Sequence, residues 1–396
     1  MSYDNSLPRY TGGRADPESD RTIRLPIGID ADDDTADRLG VHFVLEALLA
    51  VGFAGALFAF YRLEGSPLTG ASGRDHVIAA IVPLLLVATA TAISLRVSAP
   101  NLATGAIALT TGVLFAENSS RGVAPALLIA LGAALGVGVV LTVLTIVLRT
   151  PGWLVSGAVA AAVLLWIAEH VNMSAAAIEP IGRLSTSDAW IWLIGAAALS
   201  VLGGTVGALR GWRERLGECR DAAVPPARRT RATVMTTAWV LLSSSALAGA
   251  AGVWLMWLTA DVSVVGRQLD PLLLTGFGVA AALLGGCSAF GRRGGILGTV
   301  LATGLLAVTL LHSEEAGWRL SPLWILLIAT GVGFVATALV ERLGRPKADG
   351  AEAEADPREE IGGLEPADRT ILRPPRDHGD IDPYQGGGVQ DEFGRR

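Results

Sequence analysis

The chain has 396 residues, 51% hydrophobic and 17% charged, with 31 Lys and Arg against 37 Asp and Glu and a formal net charge of -6 at pH 7. Its charges gather in loops and at the two ends, the profile of a polytopic membrane protein. Cys219 and Cys287 are the only cysteines, too few for a disulfide framework or a metal site. Lys347, the only lysine, follows Arg345-Pro346 and not a glycine-rich turn, so this chain is not itself a P-loop ATPase.

Residues 1–40 are polar and acidic, with Asp32-Asp33-Asp34 among them. They lack the charged start, short apolar core and small-residue cleavage site of a signal peptide, so the first apolar run is expected to be a retained anchor. Residues 1–40 and 344–396 have no apolar period and are expected to be disordered, as solvated ends or partner-binding tails. Residues 41–343 between them form the expected membrane domain.

A bilayer core of about 30 Å needs about 20 apolar residues per helix. Ten apolar segments follow in chain order: 41–61, 77–95, 102–116, 123–148, 153–168, 189–209, 234–259, 271–284, 296–311 and 323–340. An all-α protein of about ten transmembrane helices is expected. The third and eighth segments are short; the third follows Pro100 and holds Gly105 and Gly112, the eighth starts at Pro271 and holds Gly276 and Gly278. Short, glycine-interrupted segments in both halves point to discontinuous helices lining a path, or to helices packed closely through small residues.

Arginine placement sets the orientation. The stretch from Arg210 to Arg231 carries seven arginines against Glu214, Glu218 and Asp221, which predicts a cytoplasmic loop. Counting segments outward puts Arg96, Arg149, Arg292-Arg293 and both tails inside, and Glu179, Asp261 and Glu314-Glu315 outside. Trp190, Trp192, Trp254, Trp257, Trp318 and Trp324 then fall near outer helix ends, as interfacial anchors do.

No catalytic or metal constellation is legible, and nothing calls for a cofactor or for nucleic acid. His42, His76, His170, His312 and His378 are isolated, and Glu169-His170 reads as a solvated pair. Glu46 lies inside an apolar run, where an ionisable group is a functional candidate; five residues from the start of that run, it can also reach the interface.

The stretch 283–299, LLGGCSAFGRRGGILGT, sits between two apolar runs. Gly285, Gly286, Gly291, Gly294, Gly295 and Gly298 let the backbone reverse or meet a neighbour, while Arg292-Arg293 must face water or headgroups. A lipid-exposed reversal would strand backbone polar groups, so the turn is expected at a surface or inside protein. Leu269, Asp270, Gly285, Gly286, Ser288, Phe290, Gly291, Arg293, Gly294, Leu297, Gly298 and Thr299 match, by type and order, a late-helix pattern of a known family. This part of the chain resembles the membrane permease of the ribose, simple-sugar and branched-chain amino-acid ABC importers.

Weaker resemblance runs from about residue 77 to 343. Pro100-Asn101-Leu102-Ala103-Thr104-Gly105 is similar to the family's start of a broken third helix, with Asn101 in place of an acid. Leu148 to Leu154, followed by Val155-Ser156-Gly157, resembles the family's step between the next two helices. In the basic loop, Gly217, Ala222 and Ala223 match the short helix that docks on the ATPase; Cys219 stands at the family's asparagine position and Pro225-Pro226 replaces its Ser-Gly. A diproline cannot continue a helix, and the loop can equally be a basic element held at anionic headgroups of membrane lipid.

The resemblance implies a permease in a bacterial inner membrane, both termini cytoplasmic. Its partners would be a second permease copy or paralogue, an ABC ATPase subunit and an extracellular substrate-binding protein. It would move a small polar solute, a sugar by preference, by alternating access, with ATP hydrolysed by its partners. The translocation path is assigned to Asn101, Thr104, Thr275 and Ser288. ATPase coupling is assigned to Gly217, Cys219, Asp221, Ala222, Ala223, Arg228 and Arg229, and the glycine-rich turn to Gly285, Gly286, Gly291, Arg293, Gly294 and Gly298. The departures at Asn101, Cys219 and Pro225-Pro226 keep a second reading open, a degenerate, non-transporting membrane scaffold.

Overall fold

The computed structural model describes residues 39–343, apart from 64–65, 67, 69, 171–185, 224–228, 259–269, 292–293 and 319. These residues belong to one compact unit, Ala36–Pro346, and among them there are helices and turns but no strand. The expected tails lie outside the described residues except for Leu39 and Gly40, which begin α1, and Glu179, Asp261, Leu269, Pro225-Pro226, Arg228 and Arg292-Arg293 lie outside as well.

Eleven α-helices follow among the described residues. They are α1 Leu39–Arg62, α2 Ala71–Arg96, α3 Thr104–Glu117, α4 Val123–Val147, α5 Gly152–His170, α6 Thr186–Ala208, α7 Arg210–Ala222, α8 Arg231–Leu258, α9 Pro271–Leu284, α10 Gly298–Glu315 and α11 Pro322–Leu343. Each expected apolar segment falls on a helix. α9 matches its segment residue for residue, because Asp270 accepts from the Leu272 and Leu273 N–H groups (2.8 and 3.2 Å) and Pro271 occupies the first turn. α10 starts two residues later than expected, since Ile296 and Leu297 complete the turn before it.

Among the described residues six helices are long and apolar enough to cross a membrane: α1, α4, α5, α6, α8 and α11. That is fewer than the ten spans expected. α3 and α9 have 14 residues each, so each extends only about 21 Å along its axis, against an apolar core of about 30 Å. α2 offers the shorter apolar stretch Ala80–Arg96.

The short helices are the inner ones. α3 is buried at every position except Leu114 and Glu117 and packs on α8, α4 and α9. α8 also contacts α2 and α4, while α9 lies against α11, α2 and α10. Close approach depends on absent side chains: a β-carbon on Gly252 of α8 would run into the Ala108 carbonyl of α3. The helices around this centre turn apolar groups outward, among them Phe43, Leu128, Trp166, Ile191, Ile194, Ile328 and Val332. A surface so apolar, carried by helices that are apolar all round, fits lipid and not water.

Candidate functional site

Between Arg96 and Thr104 the chain leaves helix. Pro100 has no N–H and disfavours helical geometry at Ala99, and Ser98 takes a left-handed φ of 57°. The freed backbone is satisfied inside the protein. Asn101, fully buried, donates its backbone N–H to Ser94 Oγ (3.0 Å) and Nδ2 to Ser244 Oγ (3.0 Å), and its Oδ1 accepts from Ala103 N–H (3.0 Å). Ser244 Oγ donates to the Ala90 carbonyl (2.8 Å), and Ser156 Oγ donates to the Pro100 carbonyl (2.8 Å). Asn101 thus ties α2, α3 and α8 together, as an unwound backbone at membrane depth requires.

The start of α3 meets the start of α9. Thr275 Oγ1 accepts from Gly105 N–H (2.9 Å) and donates to the Pro271 carbonyl (2.8 Å). Thr104 is fully buried beside this junction, and its Oγ1 has no hydrogen-bond partner. Three of the four expected path residues therefore gather around one junction. Ser288 does not join them: it is buried in the turn after α9, where its Oγ accepts from Phe290 N–H (3.0 Å).

That turn buries Gly285 to Ser288, Gly291, Gly295 and Gly298 while exposing Phe290 and Leu297, and it is held from three sides. Arg96, buried at the end of α2, donates Nη2 to the Gly295 carbonyl (2.7 Å) and Nη1 to Gly203 of α6 (3.0 Å). Glu46 of α1 accepts from the Leu297 and Gly298 N–H groups (2.8 and 3.1 Å), capping the start of α10 with a carboxylate where the helix dipole favours one. Thr337 of α11 donates to the Cys287 carbonyl (3.2 Å). The glycines leave room for these clamps. A β-carbon on Gly295 would lie 2.7 Å from Glu46 Oε1 and also 2.7 Å from the Gly285 carbonyl oxygen, and one on Gly294 2.6 Å from Arg96 Nε. Gly286 and Gly291 take left-handed φ values of 83° and 87°.

The basic loop contains α7, which turns Leu216 and Cys219 inward against Val97, Ala99 and Leu241. Burial is the main cause that pushes the Cys219 thiol up; the Thr237 hydrogen bond opposes it and Glu218 adds to it. Gly217 and Ala222 are half-buried and Ala223 is exposed. The Asp221 side chain and Arg228 lie outside the described residues. Arg220 meets Glu341 of α11 at 3.9 Å. Arg229 donates to the Thr145 and Ile146 carbonyls (2.8 and 3.4 Å), closing the end of α4.

Two cavities flank these features. One of about 770 Å³ lies over the first two turns of α9, among Leu84, Leu273, Leu274, Phe277, Leu310 and Leu311, with Ser313 and Glu314 as the hydroxyl and carboxylate among its described lining residues. The other, of about 550 Å³, lies beneath α7. Among the described residues no three of His, Cys, Asp and Glu stand as a metal cluster, and His312 is packed between Phe60 and Trp318.

Sequence reasoning missed the roles of Arg96 and Glu46 as turn clamps. The available signal was an ionisable residue embedded in or ending an apolar run, with glycines elsewhere in the chain able to receive it. Comparison of the chain with known protein families, with characterised proteins and with solved structures finds no match.

Proposed function

We propose that the protein is a multi-pass membrane permease subunit that moves a small solute by alternating access, driven by a separate ATPase seated on α7. The observation that carries this reading is the junction of two half-length helices, α3 and α9, start to start at Gly105 and Pro271, with the 770 Å³ cavity over α9. Discontinuous helices meeting at mid-depth are how transporters build a site inside a bilayer. α2, α3, α9 and α10 complete ten membrane-embedded segments in this reading, with both termini and α7 on the cytoplasmic side of a bacterial inner membrane. The sequence resemblance supplies the partners: a second permease copy, an ATPase and an extracellular binding protein. It also suggests a sugar; the lining of the cavity favours a solute with an apolar face.

A test is co-purification of an ATPase subunit with the wild type and with Ala222→Arg/Ala223→Glu, followed by solute uptake. The variant should insert normally and lose both the ATPase and uptake. Retention of the ATPase would remove α7 as the coupling element.

One observation favours a second reading, a non-transporting scaffold. Asn101 is fully buried with its amide bonded to Ser244 and Ala103, so it presents no accessible group to a solute in this conformation. If Asn101→Ala lowers stability and leaves uptake per folded molecule unchanged, Asn101 is a brace and not a path residue.

A further inference from the structure

Two arginines, Arg220 and Arg229, line a hollow between α4, α5, α7 and α8, and Arg149 adjoins it in the chain. Arg229 is half-buried, and the hydrogen bonds it makes among the described residues are to the Thr145 and Ile146 carbonyls at the end of α4. Burial is the main cause that lowers its proton affinity, and the charge of Arg149 adds to it. Arg149 is exposed just after α4, in a left-handed φ of 53°. Arg220 has Glu341 only at 3.9 Å.

Arg220 and Arg229 line the 550 Å³ cavity, and Arg149 adjoins it through Thr150. Thr150, Thr233 and Thr237 add hydroxyls to the wall, and the first residues of α5, Gly152 and Trp153, complete it. Around its mouth the surface is apolar: Trp153 is 56% exposed and Phe290 64%, and Val147, Leu148 and Leu154 are exposed beside them. A basic, hydroxyl-lined hollow bounded by lipid-facing apolar groups has the two-part chemistry of a phospholipid.

We propose that this cavity holds the phosphate of an anionic phospholipid headgroup, with Arg149, Arg220 and Arg229 supplying the charge and Trp153 and Phe290 lying along the glycerol and acyl chains. The site rests on the protein's place in a membrane and not on transport, so it stands or falls separately from the permease reading. A lipid held there braces α7 against the corner of α4 and α5.

The test uses the full chain in phosphatidylcholine vesicles carrying brominated phosphatidylglycerol or, at equal fraction, brominated phosphatidylcholine. The Trp153 contribution to fluorescence is isolated by comparison with Trp153→Phe. Phosphatidylglycerol should quench it several-fold more effectively, and the preference should persist at high salt because the site is partly enclosed. Arg149→Gln/Arg220→Gln should reduce the preference by about fivefold per cation removed, while Arg213→Gln/Arg215→Gln, with the same charge change on α7, should leave it intact. Arg149→Gln alone, which removes no hydrogen bond or ion pair described above, should give a partial loss even if the double variant folds poorly. An unchanged preference in Arg149→Gln, or an equal loss in the α7 control, overturns the proposal. So does abolition of the preference by inorganic phosphate, which would mark a site for free anions.

Discussion

Glu46 shows how one side chain can fix a turn. Its carboxylate takes two backbone N–H groups that α10 cannot satisfy itself. Glu46→Ala leaves both donors buried and unmet, at about 1–3 kcal/mol each; Glu46→Gln keeps an acceptor and should recover part of that. The unfolding midpoint in detergent should therefore rank wild type, Gln, Ala, and equal midpoints for Gln and Ala would show that the cap is idle. Cys219 gives a pH signature. Its folded thiol is raised by burial, so below the ordinary thiol range both folded and unfolded states hold the proton and this group adds no pH dependence. Above that range the unfolded thiol ionises first, and stability falls as pH rises towards the folded value. The stability difference between wild type and Cys219→Ala should narrow on the alkaline side and be flat below it.

At the scale of elements, some of the close approaches lie where helix ends meet at glycines, and others between helix interiors. A β-carbon on Gly285 would stand 2.5 Å from Thr299 N, where α9 ends against the start of α10. Gly331 of α11 has nothing within 4 Å of its β-position. Gly285→Val should cost on the order of several kcal/mol through backbone displacement, and Gly331→Val should be close to neutral. Thermal midpoints of the two purified variants decide this, and similar values would mean the turn yields freely. The same contrast separates Gly252, pressed on Ala108, from Gly195, which has open space around it.

For the whole molecule, the arginine-rich side fixes the expected orientation. A cysteine at Glu315 in a background without Cys219 and Cys287 should react with an impermeant maleimide added outside, and one at exposed Gly211 on α7 should not. The reverse pattern would invert the topology. Cys219 itself cannot serve as the reporter, because it is buried against Leu241 whichever side α7 occupies.

Much of this fold was legible in the sequence because apolar runs declare helices wherever they go. Each of the ten segments lies on a helix, and α9 is bounded as expected because Asp270 and Pro271 are local start signals. The shortness of α3 and α9 was likewise visible in Pro100, Pro271 and the glycines around them. What the sequence determined is thus the ten apolar helices and the places where they break, since periodicity, capping and proline act within a few residues; α7 in the basic loop was not among them. Tertiary structure alone decided which broken ends meet, that Asn101 braces α2 to α8, that Ser288 stays in its turn, and that Glu46 and Arg96 clamp glycines some 250 and 199 positions away in the chain. Those outcomes rest on long-range satisfaction of buried donors and acceptors, and no local pattern in a chain encodes which distant partner will supply it.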